Sequence, residues 1–448
     1  MENISPEEIL SLCKTHNFWT WSAQSKVAPI VVQFAEGVYF WDYHGKRYLD
    51  FNSMVMCANI GHGNQVIIDA ISKQASTLAF AGPQTATLPR ALLCKLLAEI
   101  LPPDLSKYLF TLGGADANEN AIKLARAFTG RHKILARYRS YHGSTHGAMA
   151  LTGDNRRWAW EPNLMGGVVH VLQPYRYRDG LVPDAETLSD SEYAARHLQY
   201  LQDVIESEGA ETIAAFILEP VTGTNGILIP PDGYLQGVRD LCDRFGILLI
   251  ADEVMTGFGR TGHWFAVRHW QVVPDIITLA KGLTSGYAPL GAVAMKPEIA
   301  AHFNEQVYQG GLTYNGHPIS LAAAIANIEE MRRLDAVSNS KNMGEKLIRK
   351  LIELKNKHSS VGNVRGIGLF AAIELVKNNQ TREPLNIEDP QNGSVRALKQ
   401  FTHQHGLFHY THDNVILIIP PLIITEEQIK EGLTIIDNAL TQIDAHIG

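Results

Sequence analysis

Apolar residues along this chain recur in two alternating modes, and the alternation predicts the architecture. Between about Lys107 and Lys296, short aliphatic and β-branched runs read as strands. They are Tyr108 to Thr111, Ile134 to Tyr138, Ala214 to Leu218, Ile247 to Ala251, Ile276 to Leu279 and Ala292 to Met295. Segments of helical period separate them, the pattern of parallel strands joined by crossover helices. One such segment, Gly233 to Phe245, puts Leu235, Val238, Leu241, Cys242 and Phe245 on one face, and Gly246 is predicted to end it. An unbroken run such as Ile247-Leu248-Leu249-Ile250-Ala251 predicts a strand covered on both faces.

After about Asn315 the pattern changes. Helical stretches at Ile319 to Arg333 and Asn342 to Lys357 precede short strands around Gly366 to Leu375 and Val415 to Ile419. A last helix starts at the capping box Thr425-Glu426-Glu427-Gln428 and carries Ile429, Leu433, Ile436 and Leu440 at helical spacing. The expected fold is therefore α/β. A large domain over residues 61–315 holds a mostly parallel central sheet, a smaller α+β C-terminal domain covers 316–448, and an N-terminal segment, 1–60, packs on the small domain.

Composition narrows the partners. The 448 residues carry a formal net charge of -7 and no Lys/Arg runs, which argues against nucleic acid or an anionic membrane surface. No apolar run approaches the length of a membrane span. Four scattered cysteines, Cys13, Cys57, Cys94 and Cys242, fit a reducing compartment. Ser5-Pro6-Glu7-Glu8 reads as a capped helix start rather than a targeting segment, so a cytoplasmic location is expected. Small molecules are the expected partners.

In open α/β sheets ligands bind at the carboxyl ends of strands, so the residues just past each strand carry the candidate chemistry. Asp252-Glu253-Val254 follows one predicted strand and Ala280-Lys281-Gly282 another. An acid and a lysine so placed suit a pyridine cofactor held by the lysine, with the carboxylate keeping the ring nitrogen protonated so that the ring accepts electrons. Taken alone, the two residues are better explained as a buried ion pair or as two solvated strand ends. Thr111-Leu112-Gly113-Gly114-Ala115-Asp116 adds a glycine turn that opens a helix, a place where backbone N–H groups converge on phosphate. Tyr141, just past another strand, offers a ring for stacking. Gly257-Phe258-Gly259-Arg260-Thr261-Gly262 satisfies the dinucleotide pattern GxGxxG, but the aromatic, irregular segment after it and the lack of a suitably spaced acid argue against a nicotinamide site. The histidines His403, His405, His409 and His412 have neither an HExxH frame nor cysteine partners, and no metal is expected.

Several segments together resemble the class III, omega-type aminotransferases. They are Gly113 to Glu119, Tyr141-His142-Gly143, Glu219-Pro220, Asp252-Glu253-Val254, Gly257 to Gly262, Lys281-Gly282 and Thr313 to Pro318, and the resemblance runs from about Gly37 to the last helix. It implies fold type I of the pyridoxal 5'-phosphate (PLP)-dependent transferases and a homodimer with its sites at the interface, to which residues 1–60 contribute. It further implies that Lys281 holds PLP as a Schiff base and shuttles a proton, and that Asp252 holds the pyridine nitrogen. Tyr141 and Val254 would enclose the ring, and Gly113, Gly114 and Ala115 the phosphate. His142 and Glu219 would lie beside the cofactor, and Thr313 would reach the phosphate of the partner subunit. The implied reaction moves an amino group from an amine or omega-amino acid, of the taurine or β-alanine type, to a keto acid such as pyruvate. Other PLP reactions on this fold, by an aminomutase, racemase or decarboxylase, use the same residues. A binding protein without turnover is a further alternative.

The chain departs from the family's pattern at three places. Gly113 stands where a serine is usual, which removes one hydroxyl from the phosphate turn. Met56 stands where many relatives have tryptophan, implying a roomier wall, with Trp21, Trp19 and Phe18 as aromatic candidates nearby. Before Pro420-Pro421-Leu422 the usual carboxylate-binding arginine is missing, and no arginine follows Arg396. His412 is one candidate replacement, and Arg156 or Arg157 another.

Overall fold

The computed structural model describes residues 4–387 and 394–447. Its central sheet has seven strands: β1 (Lys107–Thr111), β2 (Lys133–Arg137), β3 (Val168–Val171), β4 (Ile213–Leu218), β5 (Leu248–Asp252), β6 (Ile276–Leu279) and β7 (Gly291–Met295). They lie in the order β1-β7-β6-β5-β4-β2-β3. The pairs β2/β3, β2/β4, β4/β5 and β5/β6 are parallel, whereas β7 runs antiparallel to both β1 and β6. The expectation of parallel strands joined by crossovers fails for β7 alone. A parallel return needs a long crossover, and between β6 and β7 the chain holds only the 3-10 turn Lys281–Leu283. Strand β3 was not expected, because the run Val168 to Val171 is short and interrupted by His170.

Both faces of the sheet are covered, as the apolar runs predict. Along β5, Leu249 and Ala251 join one core cluster and Ile250 the opposite one. Helix α1 (Gly114–Thr129) contributes Ala117, Ala121, Leu124 and Ala125 to the second cluster, and α2 (Tyr234–Phe245) contributes Leu235, Val238 and Leu241 to the first. Gly246, with φ +63, ends α2 in the left-handed conformation.

The C-terminal part holds helices α3 (Pro318–Arg333), α4 (Ala336–Lys357) and α5 (Glu426–Ile447), with a shorter helix, Val395–Gln404, before the last. The Thr425 hydroxyl accepts from Gln428 N at 3.3 Å and Gln428 Oε1 accepts from Thr425 N at 2.9 Å, so the expected capping box forms. The segment Gly366 to Leu375 is divided by a turn: strands Val361–Gly366 and Ala371–Asn378 flank it and pair antiparallel. At the other end of the chain, strands Val32–Glu36, Tyr39–Asp42 and Arg47–Asp50 form a meander, and Leu407–Phe408 adds to its last strand in parallel. The two ends of the chain thus share one sheet, a pairing no local pattern announces.

The glycines of Gly257 to Gly262 serve this junction. Gly259 has φ +86, and a side chain there would meet Leu422 at 2.9 Å. The buried guanidinium of Arg260 spans the gap. Its Nη1 donates to the carbonyls of Leu369 (3.0 Å) and Pro420 (2.5 Å), and its Nη2 to Ser53 Oγ (3.2 Å) and Asn59 Oδ1 (3.0 Å). An Arg260→Leu substitution would leave these acceptors unpaired at about 1–3 kcal/mol each. We expect the melting temperature to fall on the order of 5 °C or more by differential scanning calorimetry. An unchanged transition would show that the acceptors find other partners.

Candidate active site

Five strands of one sheet deliver their carboxyl ends to a single cavity of about 710 Å³. The turn Gly113 to Ala115 follows β1, Tyr141 and His142 follow β2, Glu219 follows β4, Asp252 ends β5 and Lys281 follows β6. Because β7 is antiparallel, its beginning lies at the same edge, and Ala288, Pro289 and Leu290 line the cavity as well. Trp21, Met56 and Val254 complete the wall with Tyr410 and Arg156.

Asp252 is 3% exposed, and hydrogen-bond donors surround it. Oδ2 accepts from His142 Nδ1 at 2.7 Å and from Asn118 Nδ2 at 2.8 Å, while among the described residues Oδ1 accepts only from the backbone N of Val254 at 3.0 Å. Oδ1 therefore keeps a lone pair for one further donor. Asn118 also donates to the carbonyl of His142 (2.7 Å) and accepts from the hydroxyl of Thr278 (2.7 Å), so every polar position of its amide is spent on orienting the carboxylate.

Lys281 has φ +45, in the left-handed region. Among the described residues none accepts a hydrogen bond from its amine, and burial lowers its pKa, with Cys57, Asp252 and Glu219 opposing. Glu219 is itself buried, which raises its pKa, and its two oxygens accept from the backbone N of Tyr141 (3.1 Å) and of Gly223 (2.7 Å). Tyr141 carries the Arg156 guanidinium 3.9 Å above its ring, and its hydroxyl meets Ser144 Oγ at 2.8 Å. At the opening of α1, a side chain on Gly114 would strike Val254 at 2.8 Å. Gly143, with φ +135, sits so close that a side chain would lie 2.5 Å from the Ala115 methyl.

These features fit PLP. Asp252 has one vacant acceptor position, the Lys281 amine is unpartnered, and α1 points its first N–H groups into the same cavity. The sequence missed Asn118 and Thr278, whose signal was a polar residue on an otherwise apolar buried face. Tyr410, Cys57, Thr224 and Met255 were missed too, and no local pattern marks them. Thr313, His412, Arg157, Trp19 and Phe18 lie outside the cavity lining. Thr313 is exposed in the loop before α3. His412 is half-buried two residues beyond Tyr410, 3.8 Å from Asp413.

Comparison with known proteins agrees with this geometry. Residues 20–440 match the family described as Aminotransferase class-III. The chain superposes on a taurine:2-oxoglutarate aminotransferase from Bifidobacterium kashiwanohense, solved with PLP and glutamate, with a TM-score of 0.95, 42% identity and 100% of each chain covered. It is 32% identical to a putrescine--pyruvate aminotransferase of Pseudomonas aeruginosa over 99% of this chain and 98% of that one. It is also 34% identical to a leucine/methionine racemase of Thermococcus litoralis over 93% and 92% respectively. With the lysine, the acid and the glycine turn converging on one cavity, this chain belongs to the class III aminotransferases, enzymes of fold type I that work through PLP.

Proposed function

We propose that this enzyme takes the amino group of a primary amine or omega-amino acid and passes it to a keto acid, pyruvate being the first choice, in two half-reactions at the cavity that ends β1, β2, β4, β5 and β6. The observation that carries the reading is the Lys281 amine, with no hydrogen-bond partner among the described residues, in one cavity with the vacant acceptor position of Asp252. PLP, when bound there, supplies an electron sink for the bond to hydrogen at the substrate's amine-bearing carbon.

The protein's part follows from its residues. Asp252 Oδ1 holds the proton on the ring nitrogen, and His142 and Asn118 keep that carboxylate turned toward it. Lys281 holds the cofactor between turnovers. Lys281 Nζ would also move the proton of the substrate's amine-bearing carbon, a role its lowered pKa suits. Tyr141 and Val254 enclose the ring, and the backbone of Gly113, Gly114 and Ala115 holds the phosphate. Glu219 sits beside the ring, held by two backbone donors. Trp21 and Met56 wall the substrate side. Thr313 completes the site of a partner subunit in a homodimer. In support, the loop holding Thr313 also carries Tyr314, which packs edge-on against Phe80 at 5.7 Å while both rings stay exposed. Residues 61–315 form the large domain, 316–448 the small one, and 1–60 a segment between the small domain and the dimer interface. A cytoplasmic location goes with the four free cysteines. The racemase relative favours a second reading, inversion of an amino acid on the same residues.

The purified enzyme should absorb in the region of about 400 nm, as lysine-bound PLP does, and Lys281→Ala should abolish both band and turnover. Addition of a donor amine should discharge the band and pyruvate or 2-oxoglutarate should restore it. A racemase would invert its substrate without needing the keto acid, and a binding protein would keep the band whatever amine is added. Reloading of the apoenzyme requires neutral Nζ, so its rate should climb with pH and level off well below lysine's ordinary range, as stopped-flow absorbance would record. A rise continuing through that range would contradict the lowered pKa. Gly143→Ala should push the Ala115 turn aside and weaken PLP binding about tenfold or more in fluorescence titration of the apoenzyme.

A further inference from the structure

Lys281 stands in a turn that its own residues do not favour. It has φ +45 and Ser285 has φ +49, both in the left-handed region, and neither is glycine. The turn closes on itself: Leu283 N donates to the carbonyl of Ala280 (2.9 Å) and Thr284 N to that of Lys281 (3.2 Å). The next two carbonyls, of the buried residues Gly282 and Leu283, are taken up from outside the turn. Asn327, on α3, supplies both donors, its Nδ2 donating to Gly282 O (2.8 Å) and Leu283 O (3.0 Å). Its Oδ1 accepts from Ser285 Oγ (2.6 Å), which in turn accepts from the backbone N of Ile60 (3.3 Å). Asn327 is fully buried, on a helix face it shares with Ala323, Ala324 and Met331. An amide on such a face is costly unless its hydrogens and its oxygen are all engaged, and here they are.

The turn also meets Asn59, which a side chain on Gly282 would strike. Asn59 is fixed in its turn, donating to the carbonyl of Phe258 (2.8 Å) and accepting from Arg260 Nη2 (3.0 Å). The turn is therefore held by both α3 and the N-terminal segment, although no residue of α3 lines the cavity. A left-handed lysine persists only where its surroundings impose it. Released, residue 281 would relax to negative φ, and that rotation would swing the bond to Cβ, and Nζ with it, out of its place in the cavity. We propose that Asn327 is a positioning residue: it holds the lysine turn in the left-handed conformation and so places Nζ for attack on the aldehyde carbon of PLP. In that step the neutral amine forms a bond to carbon, and its two hydrogens leave with the aldehyde oxygen as water. The proposal rests on the reading of Lys281 as the residue that carries the cofactor.

Two measurements on the full-length apoenzyme separate the placement of the amine from the shape of the cavity. Deoxypyridoxine phosphate has the ring and phosphate of PLP with a methyl group in place of the aldehyde, so its affinity, by fluorescence titration, reports the cavity alone. The rate at which saturating PLP raises the band at about 400 nm, by stopped flow, reports the amine. Misplacing a reacting group by about 1 Å costs on the order of a hundredfold. Asn327→Leu, similar in size and without donors, should slow the band about tenfold or more and leave the affinity for deoxypyridoxine phosphate within about twofold of wild type. Ser285→Ala, which frees only the amide oxygen of Asn327, should slow it about threefold. A band rate within about twofold of wild type in Asn327→Leu would overturn the proposal. Equal losses of rate and of analogue affinity would overturn it too, because they would make Asn327 a support of the whole cavity. If Asn327→Leu does not fold, Ser285→Ala decides: slowing with unchanged analogue affinity supports the placement, and an unchanged rate, or a matching loss of affinity, overturns it. A wild type that binds deoxypyridoxine phosphate but forms no band with PLP refutes the reading of Lys281 itself, a result distinct from an unmoved variant.

Discussion

The structure depends on satisfying one buried carboxylate. Three donors from three different elements converge on Asp252: His142 past β2, Asn118 on α1 and the backbone of Val254 past β5. Each donor commits its own element. Asn118 must face inward on an otherwise apolar stripe, and Thr278 must stand in an otherwise apolar strand to hold Asn118. The site's order is thus a consequence of satisfying that one group.

A second constraint binds the ends of the chain to that centre. Lys281 and Asp252 come from neighbouring strands of a rigid sheet, but Met56, Trp21 and Tyr410 reach the cavity from opposite ends of the sequence. Arg260 joins these parts by donating to Ser53, Asn59, Leu369 and Pro420 at once. The glycine motif that resembles a nucleotide turn is a product of this crowding. Its glycines admit the approach of the C-terminal part, with Gly259 against Leu422. A spacing pattern of glycines reports only where backbone comes close, and here the close partner is protein rather than phosphate.

Much of the fold was legible because burial on both faces forces continuous apolar runs, and six of the seven central strands were read from them, each within a residue or two of its observed limits. The exceptions have physical causes. Strand β3 is short and carries a histidine, and the direction of β7 follows from loop length rather than from its own residues. The N-terminal meander pairs with Leu407–Phe408 across most of the chain, and such a contact leaves no periodic trace.

By itself the sequence determined which residues meet at the carboxyl edge of the sheet. Lys281, Asp252, Tyr141 and the Gly113 to Ala115 turn each follow a strand, and a parallel sheet brings all such positions to one edge whatever the loops do. The tertiary structure alone decided the rest of the cavity wall. Arg156, Thr224 and Tyr410 come from loops and from the distant small sheet, so their meeting depends on packing between elements that no local pattern records. The sequence offered His412, with Arg156 or Arg157 as the alternative, in place of the usual arginine. Packing separates them, because Arg156 is stacked on Tyr141 at the cavity wall, Arg157 is spent on Glu161 and the carbonyl of Thr152, and His412 sits outside the lining.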